Sequence, residues 1–228
     1  MKTCAIIIAA YNAEKYILEC YNSVSNQVKL DDWIFDIRIG VDGCQKTADV
    51  LRREKIPFYW SEKNVGAYIM RNSLMAIGQA DMYSIFDADD VMFANYISST
   101  LSLNADAVMS AKINCNENLK PIQGARIEYG GAITFSQEVI NSVGGFYGVR
   151  CAADSDIMDR IKMSGFSIRE LNEPLYYRRR HSESLTKKSD TGIGSPYRKK
   201  VWRDMCEKRE QGIIKIKPTV IPLKKINF

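Results

Sequence analysis

The segment Met82-Tyr83-Ser84-Ile85-Phe86-Asp87-Ala88-Asp89-Asp90 runs from apolar residues straight into three carboxylates. Crowded acids repel one another unless a cation lies between them. All-oxygen ligands favour Mg²⁺ or Mn²⁺, ions that usually keep phosphate oxygens in their shell. An acidic loop that only starts a helix would carry the same residue types, so other segments must decide.

Further residues can serve such a site. Tyr11-Asn12 pairs an aromatic, able to stack on a base, with a side-chain amide. Asp42-Gly43-Cys44 offers a carboxylate that can accept from a base or ribose. Arg71 is a planar, permanently charged donor suited to a diphosphate. Each has a plainer account as a sheet-edge aromatic, a turn residue or a solvated helix residue. Their joint placement is what favours a nucleotide-diphosphate site.

The elements that must hold them read from the periodicity. Cys4–Ala9, Phe35–Val41, Pro57–Ser61 and Met82–Phe86 have strand character. Helical patterns follow the first three, at Glu14–Val24, Thr47–Arg53 and Ala67–Ile77, the last closed by Gly78; a fourth lies near Phe93–Leu103. This alternation implies a mainly parallel sheet flanked by helices, with the loops after its strands meeting on one edge. Beyond it come a strand at Ala105–Ser110, a loop from Asn114 to Lys120, and a strand at Ala132–Phe135 leading into a helix capped by Ser136 and ended by Gly144-Gly145. A helix opened by Asp154 runs to Met163, and two short strands follow at Ser167–Leu171 and Leu175–Arg178.

These pieces resemble the inverting glycosyltransferases of GT-A fold, family 2 type, from about Cys4 to Thr186. The matching segments, in order, are Ile6-Ile7-Ile8-Ala9-Ala10-Tyr11-Asn12, Val41-Asp42-Gly43-Cys44, Asn64-Val65-Gly66, Arg71-Asn72, Phe86-Asp87-Ala88-Asp89-Asp90, Val143-Gly144-Gly145-Phe146, and Asp154-Ser155-Asp156 with Arg160. The resemblance implies a GT-A (nucleotide-diphospho-sugar transferase) fold and transfer of a sugar, from a UDP-sugar in preference, to an acceptor hydroxyl. It implies that Ala9 and Tyr11 line the base pocket, that Asp42 accepts from the uracil imide, and that Asn64 and Arg71 serve the nucleotide sugar. Asp87 would approach the ribose and Asp89 would hold Mn²⁺ or Mg²⁺. Asp154, at the helix cap, would be the base, with Ala153 standing where the family usually carries Glu. His181, the sole histidine, lies in a segment resembling those that close GT-A sites and would complete the metal shell or touch the phosphates. Asp90 is left as a cap for the next helix, and Arg178–Arg180 as a shield for the diphosphate or a solvated run.

Composition bounds the rest. The 228 residues carry a net charge of +5. Twelve Lys/Arg against four Asp/Glu fall after Thr186, so the body is slightly acidic and the tail basic. Six cysteines without Cys-x-x-Cys spacing suggest neither zinc nor a disulfide framework. A cytoplasmic location is expected, at the membrane surface if the tail helix binds anionic lipid. The division expected is 1–190 for the transferase domain and 191–228 for a basic helical tail. Its Tyr197, Val201, Trp202 and Met205 would pack on the domain or meet a membrane or another subunit, opposite Arg198, Lys199, Arg203 and Arg209. The partners expected are a nucleotide-sugar donor and a glycan, lipid-linked or protein acceptor read by loops such as Asn114–Tyr129, with no nucleic acid. Two rivals remain: a nucleotidyltransferase making NDP-sugars, against which Ala9-Ala10-Tyr11-Asn12 is not a Gly-rich phosphate loop, and a non-catalytic nucleotide-sugar-binding protein.

Overall fold

Residues Lys2–Ala10 form strand β1, and their alternation explains its place. Cys4, Ile6, Ile8 and Ala10 enter one core, Ala5 and Ile7 the other, all without exposure. A strand buried on both faces must sit inside a sheet covered on both sides. The computed structural model, which describes residues 1–122 and 128–228, bears this out. Its nine-stranded sheet has the order β5-β8-β6-β7-β4-β1-β2-β3-β9. The remaining strands are β2 (Trp33–Asp42), β3 (Phe58–Ser61), β4 (Met82–Asp87), β5 (Val91–Met92), β6 (Ala107–Cys115), β7 (Ile133–Ser136), β8 (Ile168–Arg179) and β9 (Lys224–Ile226).

The helices are α1 (Ile17–Ser25), α2 (Gln45–Arg53), α3 (Ala67–Met75), α4 (Tyr96–Ser102), α5 (Gln137–Val143), α6 (Ala153–Met163) and α7 (Pro196–Glu210). Strands β3, β2, β1 and β4 are parallel, as the alternating periods require. Strand β7 is antiparallel to both β4 and β6, and β6 is parallel to β8. The six strands β1–β4, β6 and β8 therefore all end on one edge of the sheet.

Several local expectations need correction. The first helix starts at Ile17, three residues late, because Glu14–Tyr16 form a turn. Helix α3 stops at Met75 rather than at Gly78, and Ile77 is exposed instead of lying on an apolar side. Buried Arg38 takes the carbonyls of Leu74 and Gly78 at 3.0 and 2.8 Å, so an arginine supplies the stop that a glycine was expected to give. Strand β6 runs on to Cys115, which moves Asn114 from the loop into the sheet. The two short strands after α6 are one, β8, whose pairing with β6 shifts register near Pro174. Ser136 does cap α5, accepting from the Val139 amide at 3.3 Å, and Gly144 ends it in the left-handed conformation.

The tail is not a separate helical appendage. Only α7 is helical; the chain beyond it is extended, and β9 adds an edge strand beside β3. Ile216 and Ile221 donate to Val143 and Ser73 on the way. On α7 the buried side is Val201, Met205 and Arg209, while Tyr197 and Trp202 are exposed, so Arg209 lies on the side opposite to the one expected. The small cluster of Ala152, Val201 and Met205 places α7 against the turn that precedes α6. Among the described residues no helix is long and apolar enough to cross a membrane. The expected acceptor loop Asn114–Tyr129 includes 123–127, which lie outside the described residues.

Candidate functional site

The six strand ends open into one cleft of about 430 Å³. Ala9, Tyr11, Asp42, Asn64, Arg71, Asp87, Asp89, Asp154 and His181 all line it. Parallel pairing explains the convergence: Ala9 lies level with Asp87 across β1 and β4, and with Gly40 across β1 and β2.

Tyr11 is 48% exposed, with its ring free to stack. Asp42 is buried, and its two oxygens accept from the amides of Val65 and Gly66 at 2.7 and 2.8 Å. It thus shapes the β3–α3 loop, while each oxygen keeps a further lone pair. Burial pushes its carboxyl up, and the two amides oppose that shift. Asn64 bonds the Asp42 carbonyl and accepts from Arg150. We expect Asp42→Asn to cost about 1–3 kcal/mol, because its amide nitrogen would face an N–H donor. A fall in melting temperature with raised donor KM would show it.

Arg71 is almost fully buried and ion-paired with Asp87. Its guanidinium meets the expected ribose carboxylate directly. Burial raises the Asp87 carboxyl, Arg71 lowers it, and Asp89 and Asp154 add to the rise. Asp89 and His181 come together from the ends of β4 and β8, with Oδ2 and Nε2 2.8 Å apart. The Tyr16 ring lies 5.1 Å from the imidazole, and its hydroxyl donates to Glu117.

Asp90 does not cap the next helix. It is buried and accepts the Arg179 amide at 2.8 Å, tying the acidic loop to the end of β8. Burial, then Asp89 and Asp87, drive its carboxyl well above the usual range. The arginine run divides by neighbour: Arg178 lines the cleft, Arg180 is exposed, and Arg179 is buried against the carbonyls of Asp89 and Glu117 and the carboxylate of Glu19.

Asp154 lies in the first turn of α6 but is not its cap. Ala152, at φ 69°, holds that position without a side-chain bond. The Asp154 Oδ1 instead meets the Tyr68 hydroxyl at 2.9 Å. Gly145 lets the turn after α5 approach α3: a Cβ there, at φ 112°, would lie 2.8 Å from Asn72 Oδ1. That oxygen accepts the Phe146 amide at 3.0 Å, and Asn72 Nδ2 donates to the Phe146 carbonyl at 2.8 Å. The motifs Arg71-Asn72 and Gly144-Gly145-Phe146, far apart in sequence, are thus one joint. Tyr68 and Lys112 also line the cleft, and the sequence alone did not point to either. Tyr68 stands three residues before Arg71, and that helical spacing was the available signal.

Asp89 and His181 provide one carboxylate and one imidazole, and among the described residues no group of three such ligands occurs. That set fits Mg²⁺ or Mn²⁺ completed by phosphate oxygens and water, not an all-protein cage.

The glycosyl transferase family 2 model matches residues 5–205, fifteen residues past the expected domain boundary and into α7. An uncharacterized glycosyltransferase of Methanocaldococcus jannaschii is 29% identical over 93 residues, 38% of this chain and 32% of that protein. Residues 1–349 of S. aureus TarS, in complex with UDP-GlcNAc, superpose with a TM-score of 0.64 at 16% identity, covering 81% of this chain and 60% of that one. The Pyrobaculum calidifontis mannosyltransferase PcManGT, in complex with GDP-Man and Mn²⁺, gives 0.65 at 16% identity, covering 82% and 61%. The chain thus spans about a third of the curated relative and about three fifths of these solved chains. At such identity the structural likeness concerns the fold alone.

Proposed function

Because the chain belongs to glycosyl transferase family 2, we propose that its cleft transfers a sugar from a nucleotide sugar, a UDP-sugar in preference, to an acceptor hydroxyl with inversion. The observation that carries this is the meeting of Asp89 with His181, of Arg71 with Asp87, and of Asp154 in one cleft. Tyr11 stacks on the base, and the free lone pairs of Asp42 take its imide N–H, with Ala9 and Asn64 completing that wall. Asp87, oriented by Arg71, accepts from the ribose.

Asp89 and His181 would hold Mn²⁺ or Mg²⁺ beside the diphosphate. A bound divalent ion supplies neutralisation of charge on the departing nucleoside diphosphate. Asp154 takes the proton of the acceptor hydroxyl as that oxygen attacks the anomeric carbon from the face opposite the leaving group. The anomeric carbon–phosphate oxygen bond breaks as the new glycosidic bond forms, and the electron pair leaves with the diphosphate. Inversion follows from this single displacement.

The acceptor is a glycan, lipid-linked or protein hydroxyl. The chain acts in the cytoplasm, and the exposed Tyr197 and Trp202 of α7, among its cations, remain for a membrane or oligomer contact.

A screen of UDP- and GDP-sugars with Mn²⁺, reading released nucleoside diphosphate with and without hydroxyl acceptors, tests the reading. UDP-sugar turnover is expected, with the β-linked product from an α-linked donor. Tight donor binding without turnover would favour the non-catalytic rival, and pyrophosphate release from a nucleoside triphosphate the nucleotidyltransferase. Chelation with EDTA, or Asp89→Ala, should lower transfer at least about a hundredfold, the scale of several kcal/mol of charge stabilisation. Undiminished rates without metal would remove Asp89 and His181 from the mechanism.

A further inference from the structure

Helix α6 begins without the usual means. Its N-cap is an alanine in the left-handed conformation, with no side chain to receive the first amides. The carboxylate in its first turn instead meets another helix, with the Tyr68 hydroxyl of α3 2.9 Å from Asp154 Oδ1. A phenol has one proton to give and two lone pairs to receive with. One hydroxyl from α3 thus meets the carboxylate of the proposed base.

We propose that Tyr68 is the positioning residue of Asp154, supplied from another helix. The inference rests on the transferase reading of Asp154 given above. The hydroxyl donates to Oδ1 and so commits that oxygen. No other side chain among the described residues bonds the carboxylate, which leaves Oδ2 for the acceptor's proton. Burial, then the charge of Asp154, drives the Tyr68 phenol well above its usual value, so it stays protonated and remains a donor at every working pH.

The ring that carries this hydroxyl is itself fixed. Tyr68 is 7% exposed, stacks on Phe146 at 5.6 Å, and lies under the Arg71 guanidinium at 5.4 Å. Asn72 clamps Phe146 through its backbone, and Arg71 is held by Asp87. The frame that sets the nucleoside side of the cleft therefore also sets the base. A packing role alone would need the ring and not the hydroxyl, and this distinction makes the proposal testable.

The groups facing Asp154 are Tyr68 and Arg71 from α3, Asp87 from the end of β4, and Cys151 from the turn before α6. Tyr68→Phe keeps the ring, its stack and its place under Arg71, and removes one donor. With the nucleotide sugar that gives turnover in the screen, kcat should fall about tenfold to a hundredfold, the cost of a misplaced catalytic group. Donor KM should stay within about twofold, since the nucleotide contacts are kept.

Melting temperature and Mn²⁺-dependent UDP binding establish that the variant is folded. Asp154→Asn is measured beside it. If Asp154→Asn is inactive while Tyr68→Phe keeps full kcat, Tyr68 only packs and the proposal falls. A rise in donor KM with unchanged kcat would place Tyr68 with the nucleotide instead, and also overturns it. Wild-type turnover in Asp154→Asn would remove the base itself, and the transferase assignment of Asp154 and its positioning would fall together.

Discussion

Asp154→Asn is expected to reduce transfer by about 10²–10⁴-fold, the usual contribution of a positioned general base. The substitution keeps the shape and volume of the side chain, and the carboxamide oxygen can still accept from the Tyr68 hydroxyl at the same place. Helix α6 should start where it does now, because its N-cap is Ala152 and the Asp154 side chain caps nothing. Only the ability to take a proton is lost. Affinity for UDP in the presence of Mn²⁺ should therefore be unchanged, with the loss confined to kcat. Calorimetric UDP binding paired with steady-state nucleotide release separates the two. Full activity would place the base elsewhere in the cleft.

Two residues further along the same helix the opposite outcome is expected. Asp156 is fully buried, and its carboxylate is shared between Arg160 of its own helix, at 2.7 Å, and Arg209 of α7. Arg160 goes on to donate to the carbonyls of Val143 and Gly145 at 2.7 and 2.6 Å. One carboxylate thus joins α6, α7 and the turn after α5. Asp156→Ala would leave the buried Arg160 guanidinium without a counter-charge, and Arg209 with Asp159 alone, at 3.0 Å. Removing one partner of such a pair costs about 3–5 kcal/mol, a large share of the 5–15 kcal/mol by which a domain is typically stable. The urea midpoint should drop sharply, and α7 should become protease-sensitive before the sheet core does. Activity per folded molecule should change far less than stability. A midpoint within experimental error of the wild type would show that the triad contributes little net stability. The contrast between Asp154 and Asp156 assigns function to the acid that faces the cleft and structure to the one that faces the helices.

The same division shows what could be read in the chain itself. Strand β1 was legible because alternate apolar residues on both faces admit only a central, doubly covered strand. The edge carrying the site followed from strand–helix alternation, and the chemistry followed from the residue types at the strand ends. Asp87 and Asp89 were nameable in this way, whereas Asp154 and His181 were named from the resemblance to family 2 glycosyltransferases. The length of β8 was not legible, since Pro174 and the register shift beside it imitate a break. The place of Arg209 was not legible either, because a charged residue on a helix looks solvated until its buried partner is known. Asp90 looked like a cap because a helix follows it, and only the end of β8 shows what it accepts.

By itself, then, the sequence determined the sheet's central strands, the edge at which its loops gather and the residue types gathered there, because these depend on local period and on the direction of parallel strands. The tertiary structure alone decided which acid meets which partner: Asp87 with Arg71, Asp89 with His181, Asp154 with Tyr68, and Asp156 with Arg160 and Arg209. Hydrogen bonds and ion pairs act over a few ångströms between residues as many as 92 positions apart, and no local pattern records that distance. The role of each carboxylate is set by the group that chain folding places against it.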